Sequence, residues 1–150
     1  MSRGTLPPLV YKGRNIGVVI VVVAQLLIGF MHLFFGIWLT SASQPILFAG
    51  SMDAGSSIVY GGYTTVFSVL TLFFAVSLWM MKHWGWLGTI SVLAFVIFAD
   101  LLTLLDLPSV PGIPKFAGFG EITYSVLVVA YLLQARIRAK YSVNIDLKKI

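Results

Sequence analysis

The stretch Ile16–Thr40, IGVVIVVVAQLLIGFMHLFFGIWLT, holds no Asp, Glu, Lys or Arg. About 20 apolar residues rising ~1.5 Å each cross the ~30 Å hydrocarbon layer of a bilayer, so this run is long enough to span one. Three further runs repeat it: Ser57–Met81, Trp84–Leu107 and Ile122–Ala139, with most charges confined to the ends and joints. The pattern predicts an all-α integral membrane protein. Its spans are 16–40, 57–81, 84–107 and 122–139, in one antiparallel four-helix transmembrane bundle with short basic tails at 1–15 and 140–150.

Composition points the same way. Of 150 residues, 59% are hydrophobic and 10% charged, with mean hydropathy +0.97, whereas soluble domains carry about 25% charged residues. A water-soluble fold could not bury four such runs and still present a polar surface. No stretch outside them is long enough for a separate soluble domain. The first run exceeds the roughly 7–15 apolar residues of a secretory signal, so the sequence predicts an uncleaved span despite the small residues at Thr40–Ser43. Cysteine is absent, which excludes disulfides, thiolate metal sites and cysteine nucleophiles. His32 and His83 alone cannot form a three-histidine zinc site.

An even number of spans places both termini on one side. That side carries Arg3, Lys12, Arg14, Lys82, Arg136, Arg138, Lys140, Lys148 and Lys149, and the other only Lys115. The asymmetry predicts cytoplasmic termini. Of these, Arg3, Lys12, Arg14, Arg136, Arg138, Lys140, Lys148 and Lys149 are expected to contact anionic lipid headgroups. Bound lipid is therefore expected, nucleic acid is not, and no cofactor is expected.

The joints differ in kind. Met81–Trp84 is short enough to force a tight hairpin, and Trp79, Trp84 and Trp86 suit the headgroup layer; His83 is read as solvated there. Ser41–Ser56 and Pro108–Gly120 are longer, rich in Pro or Gly, and apolar. Neither is expected to be regular helix. Their Ile46, Leu47, Phe48, Ile113, Phe116 and Phe119 need cover from the bundle, the interface or a partner.

Within the first span, Gln25, Gly29, His32 and Gly36 recur at i, i+4, i+7 and i+11, one helix face. Small residues let backbones approach and polar ones bond across helices, so this face should meet protein. Gly88, Ser91 and Ala99 form a similar set in the third span, interrupted by Phe95.

Asp100 lies at nearly the same depth as His32. An intramembrane carboxylate costs roughly 2.5–3.5 kcal/mol on insertion scales and faces a partner or a wet cavity. Thr103 shares its face, and Asp106 follows where water or headgroups reach it. Glu121 stands at the mouth of the fourth span with Tyr124 one turn deeper. Tyr60, Tyr63, Thr64 and Thr65 occupy the matching part of the second span. Three readings fit this layer: a structural network fixing helix register, a wet vestibule for an ion, proton or small polar ligand, and a metal or redox site at His32, Asp100 and Glu121. The last resembles the donor set of non-haem iron centres with one histidine too few.

No H-E-x-x-H, G-x-S-x-G, G-x-G-x-x-G or P-loop motif occurs. The sequence therefore favours a non-catalytic integral membrane subunit that packs against and stabilises a larger membrane protein complex, with other integral membrane subunits or itself as partners. The alternative is a stand-alone binding or transport protein with its site in the outer polar layer; a small membrane enzyme comes third.

Overall fold

The computed structural model describes residues 15–41, 54–111, 113 and 115–141, with Ala54 and Phe116 by backbone alone. Among them the order is α1 (Ile16–Ser41), α2 (Ala54–Trp79), α3 (His83–Leu104), α4 (Lys115–Leu132) and α5 (Ala135–Lys140), with no strand. Three helices, Ile16–Ser41, Gly55–Trp79 and His83–Leu104, are long and apolar enough to cross a membrane, and the apolar part of α4, Ala117–Leu132, is shorter. The architecture is compatible with a membrane helical bundle. Large apolar side chains such as Leu27, Phe34, Val66, Phe98 and Leu127 stand exposed on its outer faces, as a lipid solvent would require.

Local chemistry sets the helix ends. The Asn15 side-chain oxygen accepts the Gly17 N–H at 3.0 Å, capping α1. At the end of α2, the Met81 N–H reaches Leu78 O and the Lys82 N–H reaches Ser77 O, with Met81 at φ 56°. The end of α3 repeats this pattern around Asp106, also at φ 56°, through Asp106 N–H to Thr103 O and Leu107 N–H to Leu102 O. Both are the paired closure in which one left-handed residue caps the last carbonyls. The joint between α2 and α3 is therefore as tight as its length implies.

Glycine contacts fix the registers. A Cβ on Gly29 would meet Leu72, one on Gly36 would meet Thr65 and Gly61, one on Gly85 would meet Ser77, and one on Gly88 would meet Phe74. Close approach is why these positions take glycine. Two apolar clusters form: one around Val18, Val22, Leu78, Trp86, Leu93, Val128 and Leu132, the other around Leu39, Tyr60, Ala99 and Ile113.

Several expectations are corrected. Residues 115–120 are helical, so α4 starts seven residues before Ile122. Proline preceding a helix does not hinder it, and Gly118 and Gly120 inside cost only about 1 kcal/mol each. The fourth apolar run is not one helix: it breaks at Leu133 and Gln134 before α5. There the Trp86 Nε1–H donates to the Leu132 carbonyl at 3.0 Å, so Trp86 is buried in the protein while Trp79 and Trp84 are exposed. Α2 begins at Ala54, taking the end of the expected loop into helix. Ile113 is buried, but Phe119 is 65% exposed on α4. Ile46, Leu47, Phe48 and the Phe116 side chain lie outside the described residues.

Candidate functional site

Between the two apolar clusters lies a cavity of about 60 Å³ to which α1, α2, α3 and α4 each present one face. At about 15 Å³ per site it has room for on the order of four waters. From α1 come Ile28, Gly29 and His32; from α3, Leu93, Val96 and Asp100; from α4, Glu121, Tyr124 and Ser125. The α2 wall runs through Tyr60, Tyr63, Thr64, Phe67, Ser68 and Thr71. Each set follows the three- and four-residue spacing of a single helix face.

The lining is graded. His32 and Glu121 keep side-chain exposures of 39% and 27%, and His32 Nε2 lies 3.9 Å from Glu121 Oε1. That is a loose ionic contact, beyond hydrogen-bond reach. Asp100 is only 1% exposed. Its carboxyl carbon would lie 3.7 Å from a Cβ on Gly118, ordinary contact distance, so the acid packs beside Gly118 between α3 and α4.

Hydroxyl groups divide into two kinds. Thr65 donates to Gly61 O, Ser68 to Thr64 O, Ser77 to Phe73 O and Thr123 to Phe119 O. Short side chains can satisfy themselves on the preceding turn in this way. Aspartate and tyrosine in a helix interior cannot. Asp100 Oδ2, Tyr63 Oη and Tyr124 Oη are accordingly buried without a hydrogen-bond partner, and all three residues line the cavity.

One wall is aromatic. Tyr60 and Tyr63 stack at 6.4 Å between centroids, Tyr63 meets Phe67 at 4.7 Å, and Phe67 stacks on Phe95 at 4.9 Å. No Lys or Arg lines the cavity among the described residues.

His32, Asp100, Glu121, Tyr124, Tyr60, Tyr63 and Thr64 are thus brought together. Other expected members are not. Gln25 is buried on α1 with its Oε1 unpartnered but does not line the cavity. Thr103 turns away from Asp100 to Ala99 O and the Ser109 hydroxyl. Thr65 packs on Gly36, and Asp106 pairs with Lys115 at 2.6 Å on the exposed surface. Ala99 is buried and Gly88 packs on Phe74, but Ser91 is exposed. His32, Asp100 and Glu121 do not converge as a metal-holding set; among the described residues no group of three such side chains does. Arg136 is exposed and Arg138 and Lys140 half-buried, while Arg3, Lys12, Arg14, Lys148 and Lys149 lie outside the described residues.

Sequence reasoning passed over Phe67, Ser68 and Thr71. Their signal was present: Tyr60, Tyr63, Thr64, Phe67, Ser68 and Thr71 step along one α2 face. Searches against protein-family models, curated proteins and solved structures return no match.

Proposed function

We propose that this chain is a four-span membrane protein, both termini cytoplasmic, that binds or carries a small polar or charged ligand within its bundle. Residues along α2 fall in number as their α1 partners rise, and the α2–α3 and α3–α4 contacts do the same, which supports an antiparallel order. Α4 spans about 27 Å by its 18 residues, close to the hydrocarbon thickness. Lys82, Arg136, Arg138 and Lys140 gather at one end, where Tyr141 Oη donates to Leu78 O at 3.0 Å and ties α5 to the hairpin. That basic end suits the cytoplasmic leaflet and its anionic lipids; the cavity then sits toward the other leaflet.

One observation carries the ligand-binding reading. Asp100 Oδ2, Tyr63 Oη and Tyr124 Oη are buried without partners on one cavity. An unsatisfied buried polar group costs ~1–3 kcal/mol, and more when charged, and the cavity has room for water or a small polar guest to bond all three. The packing-subunit reading has its own support: a Cβ on Gly62 or Gly120 would meet nothing within 4 Å, leaving room for a foreign helix. Gentle extraction followed by native mass measurement separates the two. A lone species or homo-oligomer carrying a small guest supports the ligand-binding reading, and a fixed-ratio complex with larger membrane subunits supports the packing one.

A further inference from the structure

Resting on the polar-site reading, the geometry points to a small protonated amine, ammonium or a short alkylammonium, as the ligand of the cavity. The walls combine two carboxylates, Asp100 and Glu121, with hydroxyl acceptors and no Lys or Arg among the described residues. The one basic lining group, His32, leans on Glu121 rather than on the buried acid. Asp100 therefore has no counter-charge among the described residues, and an ionised buried carboxylate demands one. A cationic guest supplies it, whereas an anion would meet two acids.

Among cations, the remaining surface favours an amine. The rings of Tyr60, Tyr63 and Phe67 form a continuous wall, an apolar surface suited to the alkyl part of an alkylammonium. Asp100 Oδ2, Tyr63 Oη and Tyr124 Oη can each accept an N–H, and all three lack partners. Leu93 and Val96 add apolar surface that a methyl group can contact. A divalent metal would need acidic or histidine ligands grouped around one point, and no group of three is present among the described residues. Room for a few waters limits the guest to a few heavy atoms.

The test uses the full chain in lipid nanodiscs, titrated calorimetrically with methylammonium chloride against sodium and potassium chloride at matched ionic strength, with methanol and sodium acetate as neutral and anionic probes. Saturable methylammonium binding, weakened roughly a hundredfold or more in Asp100→Asn, supports the assignment. Should Asp100→Asn fail to fold, Tyr63→Phe keeps the ring, deletes one acceptor and is expected to weaken binding severalfold. Alkali cations binding as tightly as methylammonium, or methanol or acetate binding instead, would overturn the amine while leaving a polar ligand site standing. No binding of any probe would overturn the amine assignment, and with it the polar-site reading if native mass measurement also finds no guest.

Discussion

His32 meets Glu121 and not Asp100: the imidazole Nε2 lies 3.9 Å from Glu121 Oε1, while Asp100 sits deeper with one carboxylate oxygen unpartnered. The pairing follows from where α4 begins. Starting at Lys115 puts Glu121 six residues, about 9 Å, into the helix rather than at its mouth. The acid at the rim answers the histidine, and the buried acid is left facing the cavity.

If Asp100 is held for a ligand and not for the fold, Asp100→Asn keeps the shape and removes only the charge. It is expected to retain wild-type helical circular dichroism and melting temperature without ligand. Asp100→Leu, with Gly118 close by, overpacks the α3–α4 contact and is expected to lose ~1–3 kcal/mol. An Asn variant that melts as low as the Leu variant would assign Asp100 a structural role.

The α1–α2 contact is tested by two glycines with opposite expectations. A Cβ on Gly36 would lie 2.5 Å from Thr65 Oγ1 and 2.9 Å from Gly61 O, so Gly36→Ala is expected to destabilise by ~1–3 kcal/mol. Gly62 has nothing within 4 Å, and Gly62→Ala is expected to gain about 0.5–1 kcal/mol by helix propensity alone. Thermal unfolding in detergent reads both; equal effects would contradict the register.

Two hydrogen bonds fasten the broken end of α4 to the hairpin, from Trp86 to Leu132 O and from Tyr141 to Leu78 O. Trp86→Phe and Tyr141→Phe are each expected to lose ~1 kcal/mol. Burial, and secondarily Tyr131, push the Tyr141 hydroxyl up to about 12. Its folded value exceeds the unfolded one, so the stability it contributes is complete below about pH 10 and is lost as pH rises toward 12. Tyr141→Phe should flatten that alkaline decline; an unchanged slope would detach Tyr141 from it.

Orientation is open to direct labelling, since a chain without cysteine reports a single introduced thiol cleanly. Lys115→Cys is expected to react with an impermeant reagent in intact cells and Lys82→Cys only after lysis. The reverse pattern would invert the bundle.

Much of this was legible in the apolar runs. They located the first three helices to within three residues at each end, and matching depth along each span brought His32, Asp100 and the α2 tyrosines to one level. Proline and glycine between Pro108 and Gly120 concealed the first two turns of α4, because turn-forming residues before and within a helix look alike without the packing that decides between them. The break at Leu133 carries no Pro or Gly. It coincides with the hydrogen bond from Trp86 to the Leu132 carbonyl, 46 residues apart in sequence, which no local pattern contains. Partner choice around the cavity was hidden for the same reason, since it depends on where α4 starts.

The measurement that bears most directly on the proposed site is a high-resolution density map of the protein in lipid. A water or small guest within hydrogen-bond distance of Asp100 Oδ2 and of the Tyr63 or Tyr124 hydroxyl is the expected result. A dry cavity, closed with a tyrosine hydroxyl bonded directly to the Asp100 carboxylate, would contradict it and leave the polar layer as a structural network.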